Sequence, residues 1–321
     1  MTIPDPRPAT EARPDVLLEL VHSVRAALLA RGESISSAWV EEAAHDLKAG
    51  RQVGWTLGTE AIAFASPRAA RTFGHVHVEG PDDRVERAET LFAVLITHLD
   101  APLARLEGGV SGLTDEEEAA LADRFVRVPG ASILLRARME RPVPPPLPGG
   151  ALSDPPSVER RPVRSIPIDA LTNLDWRAFQ GTPDQNLVAD TFEEDRQSVS
   201  DMLGGRVGRF LDEASTTLVR PDGQLVGAVL ISEHDPRTAV FLDILVDPSQ
   251  RRQGLGRFLV LWGLRAMTAL GYSTARLWVT EANRPAWSLY VSLGFAVTGR
   301  ARLYRYIRPA VDSPGHPHTS R

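Results

Sequence analysis

The chain has 321 residues, 43% apolar and 24% charged, the balance of a folded protein rather than a disordered one and long enough for two domains. A net charge of −5 argues against a nucleic-acid partner, and the absence of cysteine excludes disulfides, thiolate metal sites and cysteine nucleophiles. No apolar run reaches the roughly 18 residues that span a bilayer, and the first residues lack a signal-peptide core, so the expectation is a cytoplasmic protein with no membrane partner.

Residues 1–14 read as a flexible N-terminus. Two helical stretches follow, at 16–30 and 37–49, then the strands VGWTLG, AIAFAS and RTFGHVHVE. A helix over 84–99, a short strand, a helix opened by Thr114-Asp115-Glu116-Glu117 and the strand ASILLRARME complete a first domain, 15–141. His75 and His77 share one face of their strand, as ordinary partly buried histidines do. The proline-crowded segment 142–160 reads as a semi-rigid linker.

Beyond it, VRSIPI reads as a strand and Asp169 as the N-cap of the helix ALTNLDWRAF, with a second helix over 192–203. STTLVR and QLVGAVLIS form a hairpin around Pro221-Asp222-Gly223, and AVFLDILV is a strand buried on both faces. The loop DPSQRRQGLG leads into the helix GRFLVLWGLRAMTAL, closed by Gly271. STARLWVT is the next strand, NRPAWSLYVSLG a helix closed by Gly294, and FAVTGR and ARLYRYI two final strands of a second domain, 161–309. Residues 310–321, with His316 and His318, read as a flexible tail. The first domain repeats the element order of the second without its first strand, which indicates a tandem repeat.

Chemistry concentrates at the strand-to-helix junction Val246–Gly256. Gly254 and Gly256 let the backbone approach a ligand, the helix start offers unpaired N–H groups, and Arg251 and Arg252 add positive charge. That is an anion cradle suited to a pyrophosphate. Leu259 stands where the dinucleotide fingerprint needs its third glycine, and Lys48, the only lysine, is too far away to make a P-loop. In the first domain the equivalent segment is GPDDRVER, whose aspartates repel a pyrophosphate. Glu233-His234-Asp235 cannot aim three side chains at one ion from an extended segment, so no metal is expected.

The pattern Arg251-x-x-Gly254-x-Gly256, with Glu281–Tyr290 and Leu293-Gly294-Phe295 after it, resembles the two signatures of the GNAT superfamily of N-acetyltransferases. The resemblance covers residues near 161–308. It implies an α/β fold of two tandem GNAT-like domains, each a central, mostly antiparallel mixed sheet flanked by helices. It implies acetyl-CoA as cosubstrate, held by Ile244, Leu245, Val246, Arg251, Arg252, Gln253, Gly254, Leu255, Gly256, Arg257, Asn283, Ala286 and Tyr290. The amide of Leu245 or Val246 would bond the thioester oxygen, and Tyr290 would be the general acid. Asp243, an acid in an apolar strand, or Glu233 would be the base. The acceptor implied is a small-molecule or peptide amine, and the chain a monomer or homodimer. Tandem members of the family include mycothiol synthase, which adds a thiol-precursor amine to the acceptors. A non-catalytic acyl-CoA sensor is the alternative.

Overall fold

The computed structural model describes residues 4–30, 38–68, 71–99, 105–143, 154–155, 157–185, 187, 189 and 191–308. Most of the expected linker and all of the expected tail, with His316 and His318, lie outside the described residues. In chain order the elements are β1 (Arg7–Pro8), α1 (Pro14–Ala30), α2 (Ala38–Lys48), β2 (Val53–Leu57), β3 (Ala61–Arg68), β4 (Arg71–Val78), α3 (Arg84–Thr97), β5 (Arg105–Ser111), α4 (Asp115–Phe125) and β6 (Ala131–Pro142). There follow β7 (Glu159–Arg161), α5 (Ile168–Phe179), α6 (Phe192–Leu203), β8 (Thr216–Val219), β9 (Leu225–Asp235), β10 (Thr238–Val246), α7 (Leu255–Ala269), β11 (Thr274–Thr280), α8 (Arg284–Ser292) and β12 (Ala296–Ile307). Among the described residues no helix is long and apolar enough to cross a membrane.

The chain divides into two units: Met1–Leu134 with Arg302–Arg321, and Leu135–Ala301. The division thus falls inside β6 and β12 rather than in the proline-rich stretch. In unit 1 the strands lie in the order β1-β2-β3-β4-β5, with Tyr304–Ile307 of β12 antiparallel to β5. Apolar residues of α1 and α2 cover one face of this sheet, and those of α3 and α4 the other. In unit 2 the order is β7-β8-β9-β10-β11, with Arg136–Pro142 of β6 antiparallel to β11. Here α5 and α6 pack on one face, with Leu171, Leu174 and Val199 against Leu230 and Leu245. Helices α7 and α8 pack on the other, with Phe258, Leu259 and Leu293 against Phe241 and Ile231.

Several local expectations are corrected. VRSIPI is not a strand: Ser165 and Ile166 close three-residue turns onto Pro162 and Val163, and prolines at both ends deny it ladder bonds. Asp169 is not the N-cap of α5. Pro167 is, and Asp169 lies in the first turn, bonded by Arg196 at 2.7 Å. The last two strands are one, because Gly299 lies against the Arg138 side chain instead of turning the chain. Unit 1 does not lack its first strand. Arg7–Pro8, within the stretch read as a flexible terminus, pairs with Trp55–Thr56 as β7 pairs with β8. Lys48 ties the segment down through the carbonyls of Thr10 and Ala12.

Candidate active site

In unit 2, β10 runs parallel to β11 for only three registered positions, Thr238–Val240 beside Thr274–Arg276. From Phe241 onward β10 keeps its antiparallel partner β9 and has an open edge on the other side. The cause is local. Phe241 pairs with Ile231 and Asp243 with Leu230, leaving Leu242 as an extra residue, and such a bulge bends and twists the strand that carries it. Leu242, Asp243 and Ile244 are therefore only partly buried, not buried on both faces as expected of this strand, although the Asp243 Oδ2 atom is itself shielded.

The direction of the amides follows from the register. The Asp247 N–H bonds the Val226 carbonyl at 2.9 Å, so the pair Val246–Gly227 is one whose own N–H and C=O groups point away from each other. The Val246 and Ile244 N–H groups thus face the open edge. The Leu245 N–H faces β9 and its side chain is buried in the core, which removes Leu245 as the amide donor.

At the end of β10 the chain makes a short 3₁₀ turn, Pro248–Gln250, capped by Asp247, whose carboxylate accepts from the Ser249 backbone N–H at 2.9 Å. Arg177 of α5 pairs with the same carboxylate at 2.9 Å, and Arg251 bonds the Ala178 carbonyl at 2.6 Å. The loop is thus pinned to the end of α5. Arg252 and Gly254 both adopt left-handed backbone, φ 62° and 83°. For the arginine this costs about 1 kcal/mol, and for the glycine almost nothing. A Cβ on Gly254 would meet no atom within 4 Å, so the space over the loop is open. The first N–H of α7 with a backbone partner at this end is that of Phe258, to Gly254, which leaves the preceding amides for an anion. Arg252, Gln253 and Arg257 are exposed beside them, whereas the Leu255 side chain is buried and contributes backbone alone. Gly256 lies 3.4 Å, measured from an added Cβ, from Leu289 of α8, which brings α8 alongside the start of α7.

Asn283 caps α8 by accepting from the Ala286 N–H at 3.3 Å, and its amide donates to Asp184 at 2.6 Å. Thr280 donates to the other Asp184 oxygen. Tyr290, 9% exposed, packs edge-on against Phe295. Burial pushes its phenol well up, and the negative charges of Asp184 and Asp243 add to the shift, so it keeps its proton at neutral pH. Burial likewise pushes Asp243 up to about 7, with the charge on Asp195 adding to it, Arg136 opposing it and Asp184 adding again. Glu233 is elsewhere. It pairs with Ala239, seven residues before Val246 along β10, roughly 20 Å away, and is held below the usual carboxylate range by Tyr272 and then Arg209.

Three functional candidates escaped the sequence reading: Asp175, Asp184 and Asp195. Asp175 stands among Leu171, Leu174 and Ala178 on the buried stripe of α5, and Asp195 heads the stripe Val199–Met202 of α6. An acid at an inward position of a helical period was the available signal. Asp184, in the connection between these helices, had none. Among the described residues no group of three or more histidines and acids has the geometry of a metal site.

A model of the Acetyltransferase (GNAT) family matches residues 168–295. The mycothiol acetyltransferase of Thermomonospora curvata is 34% identical over 148 residues, which cover 42% of this chain and 50% of that protein. In that match the chain spans only about half the length of the relative. The mycothiol acetyltransferase of Frankia casuarinae is 30% identical over 269 residues, covering 75% of this chain and 74% of the relative. Among solved structures, a tandem GNAT protein from the clavulanic acid biosynthesis pathway superposes with a TM-score of 0.59 at 18% identity, covering 96% of this chain and 99% of that one, a likeness of fold.

Proposed function

The chain belongs to the acetyltransferase (GNAT) family, and from that premise we propose that unit 2 transfers the acetyl group of acetyl-CoA to a primary amine by direct attack. The observation that carries this reading is the loss of β10–β11 pairing after Val240, which leaves the Val246 N–H on an open edge directly before the glycine loop. An extended pantetheine arm can bond such an edge as a strand would, with its pyrophosphate on the amides around Gly254 and Gly256. A thioester carbonyl held at the Val246 amide gains an oxyanion donor that needs no rearrangement as charge develops.

Asp243 is the base in this scheme: half-ionised near neutrality, it takes the proton of the incoming amine. The C–N bond forms as the C–S bond breaks, and Tyr290 gives its proton to the departing thiolate. Glu233, the other candidate, is too distant to serve. The two curated relatives favour an amine on a thiol precursor as acceptor. Domain limits of 15–141 and 161–309 remain our assignment of the repeat at the sequence level, with the strands at their borders divided as described above.

Calorimetric titration of the whole chain with acetyl-CoA tests the reading. We expect one site per chain, abolished by Gly254→Trp, and turnover with an amine. Two sites would mean that unit 1 also binds. Binding without turnover over a broad amine panel would make the protein an acyl-CoA sensor, and no binding would overturn both.

A further inference from the structure

The connection between α5 and α6 is folded on itself around Asp184. The Thr182 hydroxyl donates to the Phe179 carbonyl at 2.8 Å, the Asp184 N–H donates to that hydroxyl at 3.2 Å, and the Leu187 N–H bonds the Asp184 carbonyl at 2.9 Å. Local bonds thus fix the Asp184 backbone to the end of α5, and its side chain reaches a distant part of the chain. One carboxylate oxygen accepts from the Thr280 hydroxyl and the other from the Asn283 amide at 2.6 Å. Thr280 ends β11, on the stretch beyond Arg276 where its register with β10 has stopped. Asp184 is only 8% exposed and both partners are neutral. A contact that merely closed a loop would be cheaper with an amide, because a buried carboxylate loses more hydration.

The bond to Asn283 has a consequence further along the helix. Asn283 caps α8 through the Ala286 N–H, and Tyr290 lies about two turns on, so the two positions share one face. Holding the cap in place holds the height and rotation of Tyr290. The Asp184 charge also falls on both groups the mechanism uses, adding to the upward push on the Tyr290 phenol and on the Asp243 carboxyl. The other charges acting on Asp243 are those of Asp195 on α6 and Arg136 on β6, with Asp175 of α5 and Tyr290 of α8 also beside it.

We infer that Asp184 is a positioning residue, which latches the α5–α6 connection to the cap of α8 beside the parted strands and so sets Tyr290 against the reacting thioester. The task given to Tyr290 rests on the acetyltransferase reading; the latch does not. Two variants of the whole chain separate its shape from its charge. Asp184→Ala loses both bonds. Asp184→Asn can keep both, its amide oxygen accepting from Asn283 and its amide N–H donating to the Thr280 hydroxyl, which turns to accept.

The test takes water as the acceptor and follows release of CoA from acetyl-CoA with a thiol reagent, which the chain itself cannot consume because it has no cysteine. In Asp184→Ala kcat should fall at least about tenfold with KM for acetyl-CoA unchanged, the signature of a displaced reacting group. Asp184→Asn should recover most of that rate, and its rise with pH should lie at lower pH than in wild type, because the like charge that favours protonated Asp243 is gone. Hydrogen exchange should show residues 181–185 and 284–290 losing protection together in Asp184→Ala, while β9 keeps its own, which also shows that the variant folds. An undiminished kcat in Asp184→Ala, a loss confined to KM, no recovery in Asp184→Asn, an unshifted pH profile, or unchanged exchange in either segment overturns the proposal. Should wild type release no CoA, exchange alone decides the latch. Should it also fail to bind acetyl-CoA by calorimetry, the transferase reading falls and the latch stands on coupled exchange.

Discussion

The two units repeat one order of elements and part company at a single pair of strands. In unit 1 the parallel pair β4–β5 stays in register over seven positions, from Arg71 beside Arg105 to His77 beside Ser111. Its counterpart in unit 2, β10–β11, lets go after three. Glycines close the first pair: a Cβ on Gly108 would sit 2.1 Å from the Gly74 carbonyl oxygen. Ser111 adds to the closure, bonded at 2.8 Å by both His75 and His77, which are therefore structural. The loops after the two strands share a feature nonetheless, since Asp83 caps α3 in left-handed backbone, φ 54°, where Gly254 caps α7 at 83°. On the proposed reading, a loop of the right shape is not sufficient for a thioester site. The neighbouring strands must also part, as β10 and β11 do in unit 2, where β10 carries the Leu242 bulge.

The largest effect expected from this contrast is on chemistry. Tyr290→Phe removes the proton donor and nothing that touches the glycine loop, so turnover should fall on the order of a hundredfold or more with acetyl-CoA affinity unchanged. Steady-state rates alongside calorimetry decide it, and an undiminished rate would remove Tyr290 from the mechanism. Next comes stability. A carboxyl whose folded value is raised binds its proton more tightly in the native state, so ionisation favours unfolding as pH rises from about 4 towards 6, the window of Asp195. Asp195→Asn should gain on wild type across that window, by about 2 kcal/mol at its upper end, in urea melts at stepped pH. A flat difference would mean that Asp195 is not desolvated. Smaller again, Arg177→Ala unfastens Asp247 from α5. The arginine is half exposed, so the loss is about 1 kcal/mol and acetyl-CoA affinity should drop several-fold, with turnover at saturation preserved.

How much of this was visible in the sequence depends on the range of the interaction. The glycine loop, the Asn283 cap and the ends of α7 and α8 are local, set by residues a few positions apart, and each reads directly. The parting of β10 from β11 is not legible in the sequence, because a bulge depends on what the neighbouring strand offers and Leu242 looks like any apolar strand residue. Leu245 and Val246 were equivalent until the register with Gly227 and Ala228 separated them. Glu233 stands second to Asp243 as a candidate base in the sequence, because both are acids on adjacent strands. Only the antiparallel register puts one at the cleft and the other at the far end. Asp175 and Asp195 were legible and passed over: both break the apolar stripe of their helices, and a buried acid needs a reason.

The smallest expected effect is also the sharpest test of the contrast. Replacing Asp82 and Asp83 by glycine gives unit 1 a neutral, permissive loop ahead of α3, closer to the one that precedes α7. If loop composition alone decides, calorimetry should then show a second acetyl-CoA site. We expect the stoichiometry to stay at one. The seven-position register of β4 with β5 is untouched by these substitutions, so the edge amides that a pantetheine arm would need stay engaged within the sheet. A glycine at 83 also gives up little, since Asp83 already occupies left-handed backbone there at a cost of about 1 kcal/mol that glycine does not incur. The double variant should therefore be folded and slightly more stable, with a silent first unit. A second site would show that charge, and not strand separation, silenced it.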